Sequence, residues 1–199
     1  MSAHSAAAPS GVLTFLFTDI EGSTRRWEFD ADAMRSALVA HDKVLRTAIE
    51  AYDGFLFSHT GDGVMAAFAS PMSAVNAAID AQRALELPVR MGIATGEAEL
   101  RDGDYFGTVL NRAARVMAVE SAAGLQSGAD LLDLGPRRLR DVPTPVGVFQ
   151  VRAPGLRAEF PPLRRVDSDR GNLRPAITSL IGRDTEVSDI HAPCIRIGW

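Results

Sequence analysis

The chain predicts an α+β fold: a ferredoxin-like βαββαβ core followed by extra C-terminal elements. Three observations carry this. Val12-Leu13-Thr14-Phe15-Leu16-Phe17 is an apolar-rich run of strand length. Residues 31–52 place Met34, Leu38, His41, Leu45, Ala48, Ile49 and Tyr52 at helical spacing. Two short β-rich runs then flank Thr60-Gly61-Asp62-Gly63, which has the chemistry of a hairpin turn.

Strand one spans residues 12–19. Helix one spans 31–52 and stops at Asp53-Gly54. Strands two and three cover 55–58 and 64–68. Pro71 suits a helix start, and Ala-rich sequence carries that helix over 72–87 until Pro88 ends it. Strand four covers 89–96, and a polar loop is expected over 97–105. A helix over 107–121 turns Val109, Ala113, Val116 and Met117 inward, while Arg112 is expected on a solvated face. Less regular sequence follows, with a late strand at 147–151. Residues 1–11 read as a disordered lead, 12–153 as one folded domain, and 154–199 as linker or tail, where Pro, Arg and Asp accumulate.

A chain of 199 residues supports one substantial core and a tail. Its net charge of −4 gives no electrostatic case for direct nucleic acid binding. The single cysteine, Cys194, makes no internal disulfide and fits a reducing, cytoplasmic setting. The first ten residues lack the basic and apolar regions of a signal peptide, and no run approaches a membrane span. No membrane partner is expected.

The element order brings two carboxylates together. A helical crossover makes strands one and two parallel, so their C-terminal ends share one sheet edge. Strand three lies beside strand one in this topology, so Asp19 and Asp62 should meet. Singly, Asp19 reads as a cap and Asp62 as a turn residue. Together they suit Mg²⁺ or Mn²⁺, with triphosphate oxygens and water completing the shell. The turn Ile20-Glu21-Gly22-Ser23-Thr24 opens toward a helix, and its backbone N–H groups suit phosphate.

With Phe17-Thr18-Asp19-Ile20-Glu21-Gly22-Ser23-Thr24, Thr60-Gly61-Asp62-Gly63 and Asn111-Arg112-Ala113-Ala114-Arg115 in this order, the chain resembles the catalytic domain of class III nucleotide cyclases. The likeness runs from about Val12 to Val151 and is greatest to a bacterial subgroup often fused to ATPase and DNA-binding regulators. It implies a cyclase-like catalytic domain over 12–153. It implies that Asp19, Asp62 and the Ile20 carbonyl hold two metals per site. Asp104 matches the acceptor for the adenine amino group, Asn111 the ribose-positioning residue and Arg115 the transition-state arginine. Arg140 matches the basic residue on the triphosphate, usually a Lys. The resemblance further implies a head-to-tail homodimer with composite sites, acting on ATP. Asn111 and Arg115 are four apart and so share a helix face, and an Arg fork suits a developing phosphoryl charge.

Three features depart from the family pattern. Ser58 stands where a base-reading Lys is usual, four residues before the second aspartate, and His59 is expected on the other face of that strand. After Ala123-Gly124-Leu125-Gln126-Ser127-Gly128, a strand and short helix of the family pattern are absent. Asn172-Leu173-Arg174-Pro175 and the following residues resemble the lead into a regulator ATPase domain. The expected activity is therefore a weak adenylyl cyclase making cyclic AMP. The alternative is a degenerate cyclase-like module that binds nucleotide or a protein partner as a regulator. An RNA-binding ferredoxin-like domain fits poorly, since Phe15 and Phe17 lack the basic surroundings such a sheet face needs.

Overall fold

The computed structural model describes residues 8–118, 130–139, 142, 144–156 and 194–197. Strand β1, Gly11–Ile20, runs into a turn and the short helix α1, Ser23–Phe29. Helix α2 covers Ala31–Ala51. Strands β2, Phe55–His59, and β3, Val64–Phe68, form the expected hairpin. Helix α3 spans Pro71–Ala84 and β4 spans Val89–Arg101. Strand β5, Asp104–Phe106, helix α4, Thr108–Ala118, and strands β6, Asp130–Arg137, β7, Val146–Arg152, and β8, Cys194–Ile197, follow.

The sheet order is β2-β3-β1-β4-β8-β7-β6, with β5 paired to β4 alone. Its first four strands have the order and directions expected of the ferredoxin-like core. β1 is antiparallel to both β3 and β4, and β2 is antiparallel to β3, so β1 and β2 run parallel. The apolar run of β1 is buried on both faces. Leu16 and Ile20 join Leu45, Ile49, Val75, Ile79, Met91 and Ile93 under α2 and α3. Leu13, Phe15 and Phe17 join Tyr105, Val109 and Ala113 under α4. Helix α2 starts where the Asp30 side chain accepts from the N–H groups of Asp32 and Ala33, at 3.1 and 2.9 Å. It ends where Gly54 packs beneath the Phe68 ring. A Cβ there would come within 2.5 Å of that ring.

Three expectations are corrected. The stretch 97–105 is not a polar loop but an extension of β4 and a hairpin to β5. Asp102 and Gly103 both have positive φ, 51° and 83°, which gives the two-residue turn that matches strand twist. Arg112 is not on a solvated face. It is buried against Gly96, where a Cβ would come within 2.9 Å of its Nη2. Residues 194–197, taken as part of a linker or tail, form a strand between β4 and β7, antiparallel to the first and parallel to the second. Among the described residues, strand β7 pairs with β6 and β8 alone, so there the β6–β7 hairpin joins the sheet through these four residues. Strand β6 was not foreseen. Its Gly135, at φ 74°, lies where the register to β7 shifts between Asp133 and Pro136. No helix among the described residues is long and apolar enough to cross a membrane.

Candidate active site

Asp19 and Asp62 lie on two backbones in direct contact. The Ile20 N–H donates to the Asp62 carbonyl at 3.0 Å, tying the end of β1 to the turn between β2 and β3. Next to this link, the Val64 N–H donates to the buried Thr18 hydroxyl at 2.9 Å. Gly63 is required here for space, because a Cβ would lie 1.9 Å from the Thr18 carbonyl oxygen. Ser23, at the first turn of α1, donates its hydroxyl to Asp62 Oδ2 at 2.7 Å. The expected approach of Asp19 and Asp62 is therefore present within one chain as a backbone link, and Ser23 joins it through Asp62.

Asp19 has a partner that sequence reading missed. Arg90 stands opposite it in the β1–β4 register, and its Nη2 donates to Asp19 Oδ2. The signal was available in Val89-Arg90-Met91-Gly92-Ile93, where one charge interrupts an otherwise apolar strand. Its cross-strand neighbour needed the register, which no residue pattern supplies. Arg90 Nε is buried with no partner among the described residues.

The donors fit a hard divalent cation. The described residues hold no cluster of three or more His, Cys, Asp or Glu side chains, so protein carboxylates alone do not cage an ion. Two carboxylates at a half-open sheet edge, each balanced by a single donor, suit Mg²⁺ or Mn²⁺ whose other ligands are phosphate oxygens and water. The turn expected to hold phosphate keeps only part of its donor set. The Glu21 N–H is already given to the Pro88 carbonyl at 2.8 Å, and Gly22 takes φ 68° as the α1 cap. Thr24 lies within α1 itself.

The residues expected to read the base and ribose lie elsewhere. Asp104 is exposed on β5 and pairs with Arg101, eleven residues along β4 from Arg90. Asp104 Oδ1 accepts from the Tyr105 N–H at 2.8 Å. Tyr105 anchors this arm. Its ring meets Phe15 and Phe57 edge-on at 5.2 and 5.0 Å, and its hydroxyl donates to the Pro9 carbonyl at 2.6 Å. Burial raises its phenol above the usual 10.0. Arg101 pairs with Glu99, chiefly through a hydrogen bond that holds the Glu99 carboxyl below its usual range.

Asn111 is exposed on α4, which crosses β4 near Gly96. Arg115 lies one helical turn later in α4. Ser58 sits half-buried on β2, the terminal strand of the sheet, opposite Met65. Arg140 lies outside the described residues, as do residues 119–129, the stretch in which the departure from the family pattern is expected. The structure thus brings the Asp19 and Asp62 backbones together with Ser23, and places Asp104 on the β5 arm, where the adjoining Tyr105 packs on Phe57, the neighbour of Ser58.

No family model matches the chain. An uncharacterised protein of Mycobacterium tuberculosis is 34% identical over 199 residues, spanning 90% of this chain and 70% of its own length. An adenylate cyclase of Lachancea kluyveri is 32% identical over 158 residues, 62% of this chain but 9% of that much longer protein. Among solved structures, an adenylate cyclase from Trypanosoma brucei, studied in its monomeric state, superposes with a TM-score of 0.69. It has 27% identity and covers 79% of this chain and 95% of its own. The chain thus has adenylate cyclase homologues and is similar in fold to class III adenylyl and guanylyl cyclase domains.

Proposed function

We propose that this chain is a weakly active adenylyl cyclase that converts ATP to cyclic AMP and pyrophosphate as a head-to-tail homodimer. The observation that carries the proposal is the Ile20–Asp62 hydrogen bond, which fixes two carboxylate-bearing backbones at one edge. The ribose 3′-hydroxyl oxygen attacks the α-phosphorus and loses its proton to water. The bond from that phosphorus to the pyrophosphate oxygen breaks.

Asp19, Asp62 and the Ile20 carbonyl would hold the metals, which supply charge neutralisation and hydroxyl activation when bound. Arg90 gives up Asp19 and turns its guanidinium to the triphosphate. The hydroxyl of Ser23 and the turn Glu21-Gly22-Ser23-Thr24 steady the same oxygens. The second chain supplies Asp104 to the adenine amino group, Asn111 to the ribose, Arg115 to the transition-state charge and Arg140 to the triphosphate. An acceptor at Asp104 favours ATP over GTP, whose O6 it repels.

The test is incubation of the purified chain with ATP and Mn²⁺. Cyclic AMP and pyrophosphate should appear in equal amounts, with both lost in Asp62→Ala. Pyrophosphate without cyclic AMP would defeat the proposal. A second reading, a degenerate regulatory module, is favoured by the short neutral Ser58 and by the Arg90 clasp on Asp19. ATP binding with no product supports that reading instead.

A further inference from the structure

The outer part of the turn that carries Asp62, Thr60 and Gly61, is loosely packed. Thr60 and Gly61 are exposed, and a Cβ on Gly61, at φ 90°, would meet nothing within 4 Å. Side-chain packing therefore leaves this part of the turn free, and polar bonds must fix its shape. Thr60 and Gly63 close it, the N–H of the first donating to the carbonyl of the second at 2.9 Å. The Gly61 N–H is held differently. It donates to His59 Nδ1 at 3.1 Å.

That bond fixes the imidazole. An N–H can donate only to a ring nitrogen that carries a lone pair, so His59 Nδ1 is unprotonated. The proton of the neutral ring is then on Nε2, which lies 3.1 Å from Asp42 Oδ2. The other oxygen of Asp42 is bound as well, 2.9 Å from Nδ1 of the buried His41. Asp42 and His41 belong to α2, whose Met34, Leu45 and Ile49 are locked in the core. A continuous polar tie thus runs from the rigid helix through His41, Asp42 and His59 to Gly61, the residue before Asp62.

We propose that His59 and Asp42 are positioning residues for the Asp62 carboxylate, holding its turn in the shape that takes a divalent cation. The proposal rests on the metal-site reading above. It assigns a role to the position after Ser58 that base recognition does not use. The His59 side chain remains part-exposed, so replacing it leaves the core intact.

His59→Phe removes the acceptor and the link to Asp42. His59→Asn keeps the acceptor, because an Asn carbonyl reaches the N–H two residues on as an Asx turn. Asp42→Ser cuts the tie at the helix. The measurements are Mn²⁺ affinity by electron paramagnetic resonance of the free ion, amide exchange at Gly61, and ¹⁵N shifts of the His59 ring, none of which needs turnover. His59→Phe should weaken Mn²⁺ binding about tenfold and speed Gly61 exchange about tenfold. His59→Asn should restore most of both, and Asp42→Ser should fall between. The wild-type ring should show the Nε2–H tautomer. Equal losses in His59→Phe and His59→Asn, unchanged Mn²⁺ affinity in His59→Phe, or a wild-type chain that binds no Mn²⁺ would each overturn the proposal. A chain that makes no cyclic AMP but shows the tenfold losses and the Asn rescue would defeat the cyclase reading and leave the tie standing.

Discussion

Gly63→Ala tests the seam on which the site depends. The new Cβ would sit 1.9 Å from the Thr18 carbonyl oxygen and 3.3 Å from Asp19 Cα. Both are backbone atoms, so no side chain can rotate away. Close carbon–oxygen contacts stop at about 3.3 Å, so the hairpin must move by about 1.4 Å. Two hydrogen bonds cross that seam, from Ile20 N–H to Asp62 and from Val64 N–H to Thr18. Losing or stretching them removes about 1 kcal/mol each, and overpacking adds about 1–3 kcal/mol. The expected destabilisation is about 3–5 kcal/mol, read as a lower urea midpoint. Turnover should fall about 100-fold even at temperatures where the variant stays folded, since that is the typical effect of a 1 Å misplacement. Gly61→Ala is the control. It is strained by its positive φ, by about 1–2 kcal/mol, but meets no atom and displaces nothing. A Gly63→Ala chain with the wild-type midpoint and rate would refute the reasoning. Equal effects from the two substitutions would too.

Three other outcomes are expected. Asp19→Ala and Arg115→Ala chains should each be inactive, and mixing them should restore part of the cyclic AMP production, because one composite site in the mixed dimer is intact; no rescue in a demonstrated heterodimer counts against shared sites. Ser58→Lys should raise kcat/KM for ATP about tenfold or more, from a charge-assisted hydrogen bond worth roughly 1.5–3 kcal/mol, and Asp104→Ala should cancel most of the gain; a folded, dimeric Ser58→Lys with no gain means the base is held another way. The buried Tyr105 phenol titrates above 10.0, so its neutral form stabilises the fold below that pH, and the contribution is lost as pH rises through the higher folded value. Denaturation midpoints should drop above pH 10 in the wild type and drop less in Tyr105→Phe; an undiminished drop would exclude Tyr105 as the source.

The parts of the fold legible in the sequence were those with local signals. The apolar run of β1, the 3.6-residue pattern of α2 and the Gly-rich hairpin turn each announce themselves within a dozen residues. Order and crossover rules then brought Asp19 and Asp62 to one edge. What stayed hidden depended on pairing. Arg90 becomes a partner of Asp19 only through the β1–β4 register. The extension of β4 past Gly96 was read as a loop because Glu97, Glu99 and Arg101 are polar, although they alternate along an exposed arm. Arg112 looked solvent-facing because the space left by Gly96 exists only once α4 is laid on β4. The His59 tie required the distance between a helix and a turn that sequence separation does not give.

Strand β8 carries a consequence in time. Strand β4 ends at Arg101 and its neighbour begins at Cys194, so about 90 residues must be synthesised before the pair can form. At about 5–20 residues per second, the β2-β3-β1-β4 half of the sheet waits roughly 5–20 s on the ribosome with Met91, Gly92, Ile93 and Ala94 unpaired along one edge. An open, apolar edge of that kind templates pairing with other nascent chains. Yield in a cell should therefore respond to whatever shortens or shields that interval, such as slower initiation, lower temperature or a chaperone, even where the finished protein is stable.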